Sequence, residues 1–308
     1  MVRLSRVRVA IIGAGPAGMA AALQLQRFGI ATLLVGADFP GSLLRNAWWV
    51  ENYLGITPGA SGQNLLQMFQ QHLKQNKIAV VNTSVELLDY KVAEQLFTIK
   101  TSLKNYEADY VIVATGTKPK VLPLMTTIQD TRKRYVFSEV FPLLKKRKRT
   151  IVIIGAGDAA FDNALNLAKY NKVIICNRSK NLTALPLLVQ QATKNKHIVY
   201  YQDYKLRSIL AGTQNNLACI FVNKRRQVSL AADYLLAAIG RIPCKDFYAD
   251  KLQSLETQLL KCNRLFLAGD VQNASYRQVA IAVSDGIVAA MQIFYALQGR
   301  SFVEVKKK

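Results

Sequence analysis

Two glycine turns are the part of this sequence best equipped for chemistry. Residues 9–18 read VAIIGAGPAG, which places Gly13, Gly15 and Gly18 in G-x-G-x-x-G spacing with Pro16 and Ala17 between. An apolar run precedes the turn and a helical pattern follows it, the setting this motif needs. The glycines permit a tight turn, close approach to a pyrophosphate and tight helix–sheet packing. The helix N-terminus adds unpaired N–H groups and a positive dipole end. Residues 150–160, TIVIIGAGDAA, repeat the arrangement with Gly155, Gly157 and Ala160, and with Asp158 and Ala159 between. Two such turns predict two dinucleotides held close together, the plan of a flavoprotein that also handles a nicotinamide.

The elements that position these turns follow the same pattern twice. Val7–Ile12 reads as a strand, Pro16–Phe28 as a helix and Ala31–Val35 as a second parallel strand. An acid at the end of that strand usually holds a ribose hydroxyl; here that place is Gly36 and the nearest acid is Asp38, two residues later, so the contact is either made by Asp38 or lost. Gln63–Gln75 reads as an amphipathic helix, Ile78–Val85 as a strand, and Leu96–Thr101 and Tyr106–Ala114 as a small β-meander. The second half gives strand Ile151–Ile154, helix Asp158–Tyr170, strand Lys172–Cys176, a second meander within Ile198–Ala238 and a last helix Gln278–Leu297.

Composition narrows the class. The chain has 308 residues, 51% hydrophobic and 19% charged, enough for two ordinary domains with sizeable cores. Forty-one Lys and Arg against nineteen Asp and Glu give +22, a charge that suits an acidic protein, an anionic membrane or nucleic acid. Lys145-Lys-Arg-Lys-Arg149 reads either as a solvated loop or as a nucleic-acid patch. The four cysteines, Cys176, Cys219, Cys244 and Cys262, have neither C-x-x-C nor zinc spacing, which fits a reducing cytoplasm. No metal site is expected, and no apolar stretch reads as a membrane span.

Several further segments carry a family resemblance. Pro40–Ile56, PGSLLRNAWWVENYLGI, resembles the P-G-G-Q-L…V-E-N-x-P-G loop of the low-molecular-weight thioredoxin reductases, with Gly41, Val50, Glu51, Asn52 and Gly55 matching and Ser42 and Leu43 departing. Ala114-Thr-Gly116, Ala238-Ile-Gly-Arg-Ile-Pro243 and Gly269-Asp-Val271 with Tyr276-Arg-Gln278 are similar to that family's A-T-G, A-I-G-x-x-P and G-D-V…Y-R-Q blocks. The resemblance runs nearly end to end. It implies an α/β fold of two Rossmann-like dinucleotide-binding domains of the three-layer ββα type, each with a small β-meander, the second inserted in the first. The implied division is 1–116 with 245–308 for FAD, and 117–244 for NAD(P).

Site roles come with it. The resemblance implies FAD contacts at Gly13, Gly15, Pro16, Ala17, Gly18, Asp38, Asn52, Val85, Asp270, Arg277, Gln278 and Val279. For Asp270 the residue itself leaves open a simple helix-capping role. NAD(P) contacts are implied at Gly155, Gly157, Asp158, Ala159, Arg178 and Lys180; Ser179 and Thr183 stand where the family has two more arginines, so NADPH and NADH both remain open. Trp48 and Trp49 read either as flavin-stacking or as packed loop aromatics, and Cys244 as a redox thiol or an inert one.

The family's C-x-x-C positions are Ser138 and Phe141, so the dithiol that passes electrons to thioredoxin has no counterpart. A serine forms no disulfide. The catalytic group is then the flavin itself. The expected function is an FAD-dependent NAD(P)H oxidoreductase with a non-thioredoxin acceptor, of the kind seen in thioredoxin-reductase-like ferredoxin/flavodoxin–NADP reductases. A small acidic electron-transfer protein, a homodimer, a cytoplasmic location and no specific nucleic acid are the expected partners and setting. The alternative is a degenerate homologue serving as a non-catalytic flavin-binding sensor or scaffold.

Overall fold

The structure, a computed structural model, describes residues 5–37, 39, 43–56, 59–212, 217–224 and 226–299. Asp38, Gly41 and Ser42 lie outside the described residues. In chain order the first part runs β1 (Ser5–Ile12), α1 (Pro16–Arg27), β2 (Thr32–Val35), α2 (Gly62–Gln75), β3 (Val80–Val81), β4 (Val85–Lys91), β5 (Leu96–Thr101) and β6 (Asn105–Val113). The middle part runs β7 (Thr117–Pro119), α3 (Asp130–Lys133), β8 (Val136–Phe137), β9 (Thr150–Ile154), α4 (Asp158–Leu167), β10 (Lys172–Cys176), α5 (Pro186–Lys194) and β11 (Ile198–Tyr201). It continues with β12 (Lys205–Ala211), β13 (Leu217–Val222), β14 (Gln227–Ala232), β15 (Tyr234–Ala237) and β16 (Arg241–Pro243). The last part is α6 (Asp250–Lys261), β17 (Leu265–Leu267) and α7 (Val279–Leu297).

Two parallel sheets result. The first is ordered β3-β2-β1-β6-β5-β4, with β17 also paired to β6. β1 lies between β2 and β6, Ile11 opposite both Leu34 and Ile112. Val9–Ile12 are all buried because Val9 and Ile11 pack in one core with α1 and α7 while Ala10 and Ile12 pack in another with the meander strands β4 and β5 and with α6, so the strand reads as an unbroken apolar run. β6 shows both patterns: its first half alternates and pairs with the meander strand β5, while its second half is fully buried between β1 and β17. The first meander is thus continuous with the parallel sheet.

The second sheet is β11-β10-β9-β15-β8, and its meander, β12-β13-β14, is a separate antiparallel sheet. A two-stranded ribbon of β7 against β16, with Thr117 opposite Pro243, joins the halves.

Several sequence boundaries shift. Over Ile78–Val85 only Val80–Val81 pairs with β2, and Val85 opens the meander instead. α4 stops at Leu167, because Asn171 Nδ2 takes the Leu167 carbonyl and turns the chain before Tyr170. Ile198–Tyr201 joins the parallel sheet rather than the meander. Helices α5 and α6 lie where the sequence pattern gave none. α6 buries only Leu252 and Leu259, a sparse stripe beside a polar majority.

One helix among the described residues, α7, is long and apolar enough to cross a membrane by length and composition alone. In the fold it lies along α1. Its buried side is mostly small (Ala282, Gly286, Ala289, Ala290, with Ile293), which lets the two backbones close in. A Cβ added to Gly286 would sit 2.0 Å from the Ala17 carbonyl oxygen. Gly286→Ala should therefore cost about 1–3 kcal/mol in denaturant unfolding by overpacking. Exposed Ser284→Ala on the same helix should stay within about 0.5 kcal/mol.

Candidate functional site

The first turn is shaped by backbone against backbone. Gly13 has φ +110, and a Cβ there would lie 2.3 Å from the Ala114 carbonyl oxygen. Its N–H donates to Val35 O at 2.7 Å, and Ala114 N–H donates to Ile12 O at 2.7 Å, so β1, β2 and β6 end together at this turn. Gly18 faces the Gly13 carbonyl, where a Cβ would stand 1.8 Å away. Gly15 is the N-cap of α1 with no side-chain cap, and Pro16 opens the helix. No side chain therefore caps the first turn of α1, which leaves its positive end open to an anion.

The chain's C-terminal part closes on this turn. Gly269, with φ +78, sits so near that a Cβ would be 3.0 Å from Ala17 Cβ. The next residue, Asp270, is half-buried, and burial pushes its carboxyl up, opposed by the charges of Arg277 and then Arg241. Arg277 Nε is buried without a hydrogen-bond partner. Asn52 Nδ2 donates to Gln278 Oε1 at 2.8 Å, which ties the Pro40–Ile56 loop to the cap of α7, and Val279 is that helix's first residue. Val85 lies just past Val81, whose carbonyl accepts the Gly36 N–H at 3.1 Å. Glycines that any Cβ would fill, an uncapped helix end and an orphaned guanidinium nitrogen beside a carboxylate fit a dinucleotide with a sugar-alcohol chain.

The second turn repeats the first. Gly155 has φ +122, and a Cβ would lie 2.2 Å from the Ala238 carbonyl oxygen. Gly157 is the uncapped N-cap of α4, and Ala160, in the third glycine place, is buried. Asp158 Oδ1 accepts from Leu185 N at 2.7 Å, which holds the loop before α5 beside the turn, while Ala159 is exposed. Buried Asn177 shapes the chain after β10: its Oδ1 accepts from Ser179 N at 3.1 Å, and its Nδ2 donates to Asn181 O and Tyr200 Oη. Arg178 and Lys180 are left exposed at the strand end, two cations suited to a nucleotide phosphate.

Between the turns lies Ser138–Phe141. It is a junction. Glu139 Oε1 accepts from Arg241 Nη1 at 2.8 Å, and Glu139 Oε2 accepts from Asn46 Nδ2. Arg241 also donates to Thr117 Oγ1 at 2.9 Å and Thr117 O at 2.7 Å. The Arg45 guanidinium lies 4.5 Å above the Phe141 ring. Sequence reasoning singled out Ser138 and Phe141 and missed Glu139 and Arg241, because the partners lie about a hundred residues apart. The free x positions in A-I-G-x-x-P gave the only signal for Arg241.

The thiols offer no substitute. All four cysteines are free. Burial pushes both Cys176 and Cys219 up to about 12. Burial also raises Cys244, whose backbone holds the hinge through Thr115 Oγ1 to Cys244 O at 2.6 Å and Cys244 N to Gly116 O at 3.0 Å. Thiols buried as deeply as Cys176 and Cys219 make inert nucleophiles near neutrality.

The tryptophans stack on each other, Trp48 half-buried and Trp49 exposed. Trp48 N–H donates to Asp162 Oδ2 on α4 at 3.2 Å, and Lys169 Nζ stands 3.2 Å from the Trp48 ring centroid. Trp49 stacks on Trp48 at 5.7 Å and presses against Gly59. The loop is thereby fixed to the second half of the chain. Burial, with Asp158 nearby, pushes Asp162 up to about 6 despite the Trp48 bond. A raised carboxyl contributes stability that is complete below its unfolded value near 3.8 and is lost as pH rises through about 6. Asp162→Asn keeps an acceptor without the charge. Measured by denaturant unfolding, it should be more stable than wild type by about 1–3 kcal/mol at pH 8, with the gain fading below about pH 5.

Comparison with known proteins agrees with this geometry. The family described as pyridine nucleotide-disulphide oxidoreductase matches residues 7–286. A thioredoxin reductase of Rickettsia typhi is 28% identical over 304 residues, covering 93% of this chain and 96% of that protein. In three dimensions the Lactococcus lactis thioredoxin reductase in its FR conformation superposes with a TM-score of 0.84 at 24% identity, covering 95% of this chain and 99% of the other. The bacillithiol disulfide reductase Bdr of Staphylococcus aureus superposes with a TM-score of 0.74 at 19% identity, over 96% and 100%.

Proposed function

The chain belongs to the pyridine nucleotide-disulphide oxidoreductase family, and from that premise we propose that it is an FAD enzyme moving electrons from NAD(P)H to an acceptor other than thioredoxin. One observation carries the reading. The segment where thioredoxin reductases hold their dithiol is Ser138-Glu139-Val140-Phe141, without sulfur, and its Glu139 is committed to Arg241 and Asn46.

In this reading, residues 1–116 and 245–308 bind FAD and residues 117–244 bind the pyridine nucleotide. The first turn and α1 hold the pyrophosphate, Asp270 and Arg277 face the sugar-alcohol chain, and Asn52 with Gln278 positions the loop beside the ring. Gly155 and Gly157 receive the nucleotide pyrophosphate, and Arg178 and Lys180 favour a 2′-phosphate. FAD, when bound, supplies hydride acceptance and onward electron transfer. The chain's part is to align the two nucleotides and to exclude a thiol relay. A small acidic electron carrier suits the positive surface as acceptor. The outer apolar side of α7, with Val288 exposed, suits a homodimer, and four unpaired cysteines suit the cytoplasm.

A second reading, a flavin-binding sensor without turnover, draws on Ser179 and Thr183 replacing two phosphate-binding arginines. Anaerobic NADPH should bleach the bound flavin, and flavodoxin, ferredoxin or a dye should then sustain turnover while thioredoxin does not. Arg178→Ala should raise KM for NADPH on the order of tenfold with kcat little changed, the loss of one charge-assisted phosphate contact. Flavin left unbleached by millimolar NADPH and NADH would favour the sensor, and thioredoxin turnover would sink the main reading.

A further inference from the structure

The basic run Lys145–Arg149 is an ordered ridge. Asn171, itself buried, donates to Lys146 O at 3.1 Å and Leu167 O at 2.9 Å and accepts from Arg149 N at 3.1 Å. Lys148 sits at φ +54, held by its N–H to Tyr170 O at 2.8 Å. The Arg147 guanidinium stacks 3.8 Å from the Tyr170 ring centroid, and its Nη1 donates to Leu144 O at 2.7 Å and Lys146 O at 2.9 Å, which fixes the charge on the ridge. Lys145, Arg147, Lys148 and Arg149 are exposed on this fixed backbone.

The ridge flanks a concave surface. A hollow of about 350 Å³ is lined by Lys148, Arg149, Lys169, Tyr170, Lys172 and His197, with Thr150, Ala168 and Asn171 completing it. The register explains the concentration: β9, β10 and β11 all begin here, Lys172 opposite Thr150 and Val173 opposite Ile198, so three loops deliver their cations to one end of the sheet. The one carboxylate of note, Asp233, is already engaged by Thr150 N at 2.8 Å and by Arg149 at 3.6 Å. The second glycine turn lies at the other end of the same strands, about 16 Å away for five residues of strand. This cationic end is therefore separate from the nucleotide phosphates.

We propose that this end of the second sheet, the Lys145–Arg149 ridge with Lys172 and the adjoining hollow, docks a nucleic-acid phosphate backbone without reading its sequence. A row of fixed cations beside a concave hollow matches a charged strand passing through, and the ordered backbone leaves little entropy to lose on docking. A bilayer would instead favour an apolar side chain projecting from the patch. Among the described lining residues the large apolar side chain is the exposed Tyr170, with Arg147 stacked on its ring, against the four cations Lys148, Arg149, Lys169 and Lys172, so charge dominates the patch. Cations that meet phosphates carry no sequence information, so affinity should be uniform across sequences.

The test is anisotropy of a fluorescein-labelled mixed-sequence duplex of about 30 base pairs with the flavin-loaded full chain at several salt concentrations. Wild type should bind with a slope of log K against log salt of about −4, and two unrelated sequences should agree within about twofold. Lys145→Gln/Arg147→Gln/Lys172→Gln should flatten the slope by about 3 and weaken binding at least tenfold at low salt. Lys74→Gln/Lys224→Gln/Lys261→Gln, the same charge change elsewhere, should leave the slope within about 1 of wild type if the contact is local. An unchanged slope in the ridge variant, or an equal loss in the control variant, overturns the proposal. So does tighter binding to vesicles of equal phosphatidylglycerol and phosphatidylcholine than to duplex, lost in the ridge variant, which would assign the surface to lipid. A flavin spectrum identical in the three proteins shows that each is folded.

Discussion

The carboxylate of Glu139 joins three distant parts of the chain. One oxygen holds Arg241 of the hinge ribbon and the other holds Asn46 of the Pro40–Ile56 loop. Arg241 in turn grips Thr117 on the opposite strand of the ribbon and lends its charge to Asp270. The side chains of Glu139 and Arg241 are only 32% and 18% exposed, so each would be a partly desolvated, unpaired charge without the other. The loop, the hinge and the Gly269–Asp270 segment are positioned relative to one another through this pair. A dithiol at Ser138 and Phe141 would have to leave such a junction to reach a partner protein. Here Phe141 lies under Arg45, and the segment serves as a brace.

A second constraint is the repeated contact of glycine with an alanine carbonyl. Gly13 against Ala114 and Gly155 against Ala238 place each turn where two parallel strands end. Both turns then start a helix without a side-chain cap. This contact was legible in the sequence, because only glycine tolerates that backbone and approach. For the same reason β1, α1, β9 and β10 were readable nearly to the residue. The two fingerprints and the blocks around Ala114, Ala238 and Gly269 together foretold the two-sheet α/β plan.

Side chains meeting across the halves were not legible. The Asp162–Trp48 bond and the Lys169–Trp48 contact join residues whose local sequence shows only a helix and a loop. The dual character of β6 was hidden as well, since its alternation and its buried run look like two strands until β5, β1 and β17 are known to share it. The basic run before β9 looked the same as any solvated loop. Its order comes from Asn171, which the fold alone brings beneath it. The charge of +22 is thus partly organised: a cationic end lies opposite the glycine-turn end of the same sheet.

In the proposed enzyme the flavin is the last redox centre of the chain. Anaerobic coulometric titration of the purified flavoprotein counts this directly. It predicts uptake of about two electrons per FAD, with reduction complete when the flavin is bleached. Uptake of about four electrons per FAD, with thiols becoming alkylatable as the second pair enters, would reveal a disulfide relay and contradict it.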